Sequence, residues 1–283
     1  MPEPESNPEL AEELTEAFGT RPEPAAPQPA DEPSIPMICF KHVSLWFGER
    51  RILNDVSFEV NRGETLCIMG RSGVGKSVAL RILMGFLRPQ VGSVWVDGEE
   101  INGFSEEQMQ AIRKRVTMVF QNGALFDSLS VRENIAFPLR ERESLSEEKI
   151  VQLVGWLISI VGAEDVADAF PSSLSTGRKR AVAIARALAL QPDVVLYDEP
   201  TTMVDPIIAR RLGDLIQRLK QQLGYTSIVV THDTRFAERL ADTVLFLDQG
   251  RGIFFSSLKE FLASPDPGIQ EFLALDAYLL PSE

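Results

Sequence analysis

Residues 70–78 read Gly70-Arg71-Ser72-Gly73-Val74-Gly75-Lys76-Ser77-Val78. The stretch from Gly70 to Ser77 fits the pattern G-x-x-x-x-G-K-[ST], in which backbone N–H groups surround the phosphates of a nucleotide. Apolar residues at 64–69 predict a strand before it, and the apolar periodicity of 78–84 predicts a helix after it. Lys76 is then expected to reach the β- and γ-phosphates, and Ser77 to ligate Mg²⁺. A glycine-rich turn before a core helix is the weaker alternative, so the stretch predicts a nucleotide site.

The overall composition is that of an acidic globular protein. The chain has 283 residues, 44% of them hydrophobic, which is enough for one large domain or two small ones. A net charge of −13 argues against a general nucleic-acid binder, which should carry a basic surface. Cys39 and Cys67 lie in apolar runs and predict buried reduced thiols rather than a disulfide framework or a metal cluster.

Residues 1–36 differ from the rest of the chain. They hold nine acidic residues, one arginine and nine of the 18 prolines, which predicts a disordered acidic, proline-rich tail. An amphipathic helix over 9–18 that forms on a partner is an open alternative. The chain does not open like a signal peptide, and no run approaches the ~18 apolar residues of a membrane span. Any membrane role is therefore expected to come through a partner.

From residue 37 onward, strand and helix patterns alternate. Strand-like runs lie at 38–40, 43–46, 52–60, 66–69, 93–96, 116–120, 194–197, 227–230, 243–247 and 253–255. Helical patterns at 207–223 and 234–240 separate the later strands, which indicates an α/β fold with a mainly parallel sheet. A mostly helical insertion is expected over about 122–190. Residues 256–283 predict a helical extension, broken at Pro265-Asp266-Pro267 into a short helix, a turn and a second helix.

A second motif, Val194-Val-Leu-Tyr-Asp198-Glu199-Pro200, ends an apolar strand in two acids. Parallel sheets bind ligands at the carboxyl ends of their strands, so Asp198 is expected to hold the same Mg²⁺ as Ser77. Glu199 would then orient and polarise the attacking water. A strand that ends in two acids can also simply meet solvent, and the upstream phosphate loop favours the catalytic interpretation.

Leu174-Ser175-Thr176-Gly177-Arg178 and the helical pattern after it resemble the Leu-Ser-Gly-Gly-Gln element of the ATP-binding cassette (ABC) family. The resemblance covers residues 37–255 and implies a P-loop nucleoside triphosphatase domain, with a parallel core sheet, an antiparallel β subdomain and the helical insertion. In this family the serine and the second glycine face the γ-phosphate of the nucleotide on the opposite subunit. The resemblance thus assigns Ser175 and Gly177 to nucleotide binding. Thr176 and Arg178 differ from the Gly and Gln of the family element, and they are expected to change how strongly the element acts without abolishing its function. A plain N-capped helix is the alternative.

Other positions match the family by order and spacing. The resemblance implies that Gln121 senses Mg²⁺ and the water, that His232 contacts the γ-phosphate, and that Asp205 belongs to a loop that crosses the dimer. It also implies that Phe47 stacks on adenine. Trp46 beside it points to the other face if the segment is extended. The residues before Asp205 depart from the usual small ones, which leaves the cross-dimer contact less well defined.

Residues 121–127 (QNGALFD) and 131–139 narrow the resemblance to the ATPase subunit of MCE-type bacterial lipid transporters, the Mla phospholipid system and its relatives. Arg113-Lys-Arg115 and residues 264–272 are similar to that subfamily too. The resemblance implies an integral membrane permease, an MCE-domain substrate-binding protein and a small regulatory subunit as partners, at the cytoplasmic face of the inner membrane. Leu125 and Phe126 would line the groove for a permease helix; the alternative places both in the core of the insertion.

The resemblance predicts an ATPase in which two copies close head-to-tail over two ATP·Mg²⁺. Its catalytic residues would be Glu199, His232, Gln121 and Lys76, and the segment after Ala274 is expected to dock on the opposite copy. Three alternatives stay open: an ABC ATPase for amino acids or another small solute, a soluble ABC ATPase that acts on DNA or ribosomes, and a non-catalytic regulatory module. The acidic charge disfavours the second, and the intact catalytic residues disfavour the third.

Overall fold

The computed structural model describes residues 35–141 and 145–279, with side chains as far as Asp276, and nearly all of the predicted acidic tail lies outside the described residues. The strands in chain order are β1 (Ile38–Phe47), β2 (Arg50–Val60), β3 (Thr65–Met69), β4 (Val91–Val96), β5 (Glu99–Glu100), β6 (Val116–Val119), β7 (Val194–Asp198), β8 (Thr226–Val230), β9 (Thr243–Asp248) and β10 (Arg251–Phe255). The helices are α1 (Lys76–Leu83), α2 (Glu106–Arg115), α3 (Val131–Arg140), α4 (Glu147–Ile160), α5 (Thr176–Leu188), α6 (Pro206–Leu223), α7 (Thr234–Leu240), α8 (Leu258–Leu262) and α9 (Pro267–Leu279), with 3₁₀ turns at Glu164–Val166 and Pro171–Ser173.

Within the described residues the strands form two sheets. The larger has the order β10-β9-β3-β8-β7-β6 and is parallel except for the edge strand β10. The smaller is antiparallel, with the order β2-β1-β4-β5. Helices α3 to α5 form the insertion between β6 and β7. The predicted fold class, a mainly parallel α/β sheet with an antiparallel β subdomain and a helical insertion, is confirmed.

The central strand β3 is buried on both faces, which is why its sequence is an uninterrupted apolar run. Its alternate side chains belong to two different cores. Cys67 and Met69 pack with the helical insertion and the C-terminal helices, whereas Leu66 and Ile68 pack with α1 and the antiparallel sheet. The large sheet therefore separates two hydrophobic layers and fixes the position of the loop that follows β3.

The two strands predicted at 38–40 and 43–46 are in fact one strand, β1, that is bent at a bulge. His42 lies in the left-handed region, with φ 52°, and the pairing register with β2 shifts between Phe40 and Val43. The His42 N–H donates to the Ser57 Oγ at 2.9 Å instead of joining the regular ladder. The bulge interrupts the alternation of apolar residues, which is why the sequence pattern reads as two strands.

The two cysteines are free and buried, as the sequence predicts. Burial raises the pKa of the Cys67 thiol to about 12, so this group stays protonated and behaves as a small apolar side chain. Within residues 35–141 and 145–279, no helix combines the length and apolar character that a bilayer crossing requires.

The C-terminal extension folds back on the large sheet as a short helix, a turn and a longer helix, as its sequence predicts. Phe261 of α8 and Phe272 of α9 are buried against Phe246 of β9, with ring centroids 5.7 Å and 5.4 Å away. This aromatic cluster attaches α9 to the same domain that carries the phosphate loop.

We predict that Phe261→Ala lowers the free energy of unfolding by about 3–5 kcal/mol, because it leaves a cavity in that cluster. Phe254→Ala is the matched control: this ring is 43% exposed on β10 and its loss should cost less than about 1 kcal/mol. Both values can be measured by chemical denaturation followed by circular dichroism. Equal losses in the two variants would show that the cluster does not anchor the extension.

Candidate nucleotide site

The large sheet brings the sequence motifs together at one edge. The carboxyl ends of the neighbouring strands β3, β8, β7 and β6 are followed by Gly70, His232, Glu199 and Gln121, in that spatial order. Ligands of parallel sheets bind at this edge. A cavity of about 640 Å³ opens there, a volume in the ordinary range of small-molecule sites. Its lining includes Arg71, Ser72, Gly73, Gly75, Lys76, Ser77, Val78, Gln121, Glu199 and His232.

The phosphate loop connects β3 to α1 and depends on glycine at its start. Gly70 has φ 142°, and a Cβ at this position would lie 2.2 Å from the Leu247 carbonyl oxygen. No other residue type fits there, because the loop passes directly against β9. Helix α1 begins at Lys76, so the positive end of its dipole faces the loop and favours an anion.

Lys76 is buried and anchors the loop. Its Nζ donates to the carbonyl oxygens of Gly70 at 2.8 Å and Arg71 at 3.0 Å. It also forms an ion pair with Glu199, with Nζ and Oε1 3.2 Å apart. The ammonium thus lies between the phosphate loop and Glu199, the acid that follows β7.

Ser77 and Asp198 form the second contact between the two motifs. The Ser77 Oγ donates to the Asp198 Oδ1 at 2.6 Å. Burial raises the pKa of the Asp198 carboxyl, and the Ser77 hydrogen bond opposes that rise. A hydroxyl and one carboxylate, with phosphates and water, are ligands that suit Mg²⁺. Groups of three or more His, Cys, Asp or Glu side chains that could bind a metal by themselves do not occur in the described residues.

Glu199, which the sequence predicts to orient the attacking water, forms a close contact with His232. His232 Nδ1 lies 2.8 Å from Glu199 Oε2. Burial raises the pKa of Glu199, but the His232 hydrogen bond and the Lys76 charge outweigh it, so the net pKa is lowered. The same hydrogen bond raises the pKa of His232. Glu199 also has φ 48°, a strained backbone conformation of the kind that concentrates at functional sites.

Four predicted site positions belong neither to the phosphate loop nor to the end of β7, and they do not line the cavity. Ser175 caps α5 by accepting from the Arg178 N–H at 3.4 Å, and Asp205 caps α6 by accepting from Ile207 and Ile208 N–H at 3.0 Å. A Cβ at Gly177 would come within 2.6 Å of the Ile208 side chain, so the close approach of α5 and α6 favours glycine. These residues have structural roles within one chain, and their roles toward an opposite copy stay predictions.

Phe47 is the fourth such position. Its ring is 53% exposed, and the cavity is lined on this side by Arg50 and Ile52 of β2 instead. Its stacking on adenine stays a prediction. Arg178, which replaces the usual glutamine of the family element, forms an ion pair with Asp165, with Nη1 and Oδ1 2.5 Å apart.

Sequence reasoning missed the contribution of the C-terminal helix α9 to this site. Phe272, Leu275 and Asp276 line the cavity, and Glu271 forms an ion pair with Arg71 of the phosphate loop, with Oε1 and Nη2 2.6 Å apart. About 200 residues separate the partners in the sequence, so no local motif predicts these contacts.

The fold and the site together define a P-loop ATPase. The family model described as ABC transporter matches residues 53–202. The chain belongs to the ABC transporter ATPase family, as predicted from residues 174–178 and their surroundings, and it is an ATP-binding ATPase. ATPases of this family work as dimers with a membrane permease.

Curated relatives extend over most of the chain. The intermembrane phospholipid transport system ATP-binding protein MlaF of Escherichia coli K12 is 38% identical, over 84% of this chain and 88% of MlaF. The chloroplastic protein trigalactosyldiacylglycerol 3 of Arabidopsis thaliana is 40% identical, over 80% and 70% respectively. The methionine import ATP-binding protein MetN of Campylobacter jejuni is 36% identical, over 86% and 77%.

A solved structure also resembles the chain. It is the dimeric ATP-binding cassette MJ0796 in a post-hydrolysis state bound to ADP and Pi. The two superpose with a TM-score of 0.71 at 30% identity, over 78% of this chain and 98% of that one.

We predict that the Glu199–His232 pair stabilises the fold in a pH-dependent way. The folded pKa of His232 is raised, so its contribution is complete below the ordinary histidine pKa of about 6.5 and is lost as the pH rises through the folded value. The folded pKa of Glu199 is lowered, so its contribution is complete above about 4.3 and is lost as the pH falls. The stabilisation should therefore be largest between about pH 5 and 6.5.

The measurement is the free energy of unfolding of wild type and His232→Gln from pH 5 to pH 9. Their difference should shrink steadily toward the alkaline end. His42→Asn is the control, because the His42–Asp55 contact is exposed and should contribute little. A difference between wild type and His232→Gln that does not change with pH would contradict the assignment of this pair.

Proposed function

We propose that the chain is the ATP-hydrolysing subunit of a bacterial lipid transporter, and that it powers phospholipid movement through a separate permease. The class of cargo is supported by the likeness to MlaF and by residues 121–127 and 131–139 of this chain, which resemble the MCE-type subfamily. MetN is nearly as similar in identity, so an amino-acid transporter is the main alternative. In this proposal the chain lies at the cytoplasmic face of the inner membrane, attached through the permease.

The observation that carries the proposal is an exposed aromatic pair on the helical insertion. Phe126 and Phe137 are 44% and 41% exposed, and their ring centroids lie 4.9 Å apart. Leu125 beside them is partly buried and packs against the core. Of the two residues predicted to line the permease groove, Leu125 and Phe126, only Phe126 is therefore exposed. Exposed neighbouring aromatic rings are typical of binding surfaces.

The aromatic pair is held rigidly and close to the nucleotide site. Asn134 is fully buried; its Oδ1 accepts from the Phe126 N–H at 2.8 Å, and its Nδ2 donates to the Phe126 and Leu129 carbonyls. The same loop begins at Gln121, which lines the nucleotide cavity. A permease helix seated on the aromatic pair would thus contact the loop that senses ATP.

The proposed chemistry assigns separate tasks to the phosphate loop, to Glu199 and His232, and to the Mg²⁺ ligands. Lys76 and the loop N–H groups bind the β- and γ-phosphates, and Glu199 orients the water for in-line attack. His232 of the same copy and Ser175 of a second copy stabilise the charge that develops on the γ-phosphate. Ser77 and Asp198 would hold Mg²⁺, with Gln121 nearby. When bound, the ion neutralises negative charge on the phosphate oxygens.

Two copies are proposed to close head-to-tail over two nucleotides and to reopen after hydrolysis. Gly177 and Asp205 would contribute to that interface from α5 and α6. An MCE-domain substrate-binding protein and a small regulatory subunit are the further proposed partners. The acidic composition continues to disfavour a nucleic-acid partner.

We predict that Glu199→Gln abolishes most ATP turnover but retains ATP affinity, because the amide keeps the shape of the side chain without its charge. Loss of one group that orients the nucleophile should lower kcat by roughly 10²-fold or more. The variant should also accumulate as a nucleotide-bound dimer in size-exclusion chromatography. Glu49→Gln, an exposed glutamate next to β1, is the matched control. Wild-type turnover by Glu199→Gln would refute the role of Glu199.

The cargo and the permease can be tested together by purifying the full-length chain from membranes. We predict that an integral membrane protein and phospholipid copurify and are identified by mass spectrometry. Phe126→Asp should lose the membrane protein but keep ATP affinity, whereas Phe170→Asp, on an equally exposed ring of the insertion, should keep both. A copurifying permease with bound amino acid instead of lipid would favour the alternative cargo.

A further inference from the structure

Helix α9 presents a buried carboxylate to the nucleotide site. Asp276 is 7% exposed and lines the same cavity as Lys76 and His232. The helix is fixed one turn earlier by Phe272, whose ring lies in the aromatic cluster of β9 and α8. Burying a carboxylate costs free energy unless it is hydrogen-bonded, so the partners of Asp276 reveal what it holds.

Within the described residues, Asp276 accepts hydrogen bonds from two groups of a single residue, Thr234. The Asp276 Oδ2 accepts from the Thr234 N–H at 3.1 Å and from the Thr234 hydroxyl. Thr234 is the first residue of α7 and follows His232 by two positions. Asp233, between them, caps the same helix by accepting from the Phe236 N–H at 2.9 Å. Two carboxylates therefore converge on the start of α7, one from within the segment and one from α9.

The other side of this segment is fixed by the central strand. The Thr231 N–H donates to the Ile68 carbonyl of β3 at 3.1 Å, and the Asp233 N–H donates to the Thr231 Oγ1 at 3.1 Å. His232 thus lies in a short segment that β3 fixes on one side and Asp276 fixes on the other. The ring itself is half exposed and contacts Glu199, so its position depends on the placement of this backbone segment together with Glu199.

We infer that Asp276 is a positioning residue for ATP hydrolysis: it holds the segment 232–234 in the place from which His232 reaches the γ-phosphate. This inference rests on the role that the proposed function gives to His232. Asp276 acts on the reaction through Thr234 and the backbone. Lys76 is fixed by the Gly70 and Arg71 carbonyls, and the contact of α9 with the phosphate loop runs through Glu271, so the inference expects ATP binding to depend little on Asp276.

The test compares kcat and KM for ATP of the full-length chain, together with the membrane proteins that copurify with it. Asp276→Ala should lower kcat roughly tenfold, as a small misplacement of a reacting group does, while KM changes less than about twofold. Asp276→Asn keeps an oxygen that can accept from the Thr234 N–H and should recover most of the lost rate. Asp214→Ala is the matched control, because Asp214 pairs with Arg239 at the opposite end of α7, at 2.7 Å.

A double-mutant cycle with His232→Ala separates positioning from general loss of structure. If Asp276 acts through His232, Asp276→Ala should cause no further loss of kcat in the His232→Ala background. Independent, multiplying losses would overturn the inference, as would an equal loss in Asp214→Ala or a rise in KM without a fall in kcat. If His232→Ala alone leaves kcat unchanged, the proposed role of His232 fails, and the inference fails with it. If His232→Ala lowers kcat and Asp276→Ala does not, the inference alone fails.

Discussion

The site depends on the register of three parallel strands. Leu66 of β3 and Leu196 of β7 both lie opposite Ile228 of β8, so the three strands run level and end side by side. A slip of one residue would displace a loop by about 3.3 Å and turn alternate side chains into the wrong core. Because each strand is buried on both faces, two hydrophobic layers resist such a slip. The positions of Lys76, Asp198 and Glu199 are thus set by packing far below the cavity.

Charged side chains lie close together where the three strands end, and their contacts connect the phosphate loop with the two acids at the end of β7. Lys76 is 5% exposed and Asp198 is 8% exposed, and a buried charge without a partner costs several kcal/mol. Lys76 is shared between the carbonyls of its own loop and Glu199, while Asp198 takes the hydroxyl of Ser77. A phosphate that binds the loop also binds Lys76, so it lowers the share of that charge which stabilises Glu199. In the proposed function, nucleotide binding and the charge balance of Glu199 would thus be coupled through one ammonium group.

Local sequence patterns predict the α/β class, and they place the phosphate loop between the strand β3 and the helix α1 that the structure contains. The α/β class, the phosphate loop and the acids that end β7 follow from motifs whose residues are neighbours in the chain. Helix α2 is missing from the predicted elements, although Ser105 and Gln108 form a capping box at its start, a pattern that the sequence contains. Helix α9 is different in kind. Its contacts with Arg71 and Thr234 join residues far apart in the sequence, and only tertiary packing brings them together.

The structural roles of the α5 residues are compatible with the proposed role in a dimer. The Ser175 side chain accepts from a single N–H, that of Arg178, whereas the start of a helix leaves four N–H groups without intrahelical partners. The remaining N–H groups and the helix dipole still favour an anion approaching along the axis of α5. Gly177 both permits the close approach of Ile208 and leaves the backbone uncovered by a side chain. The uncapped N–H groups at the start of α5 are therefore compatible with the proposed contact to the nucleotide of a second copy.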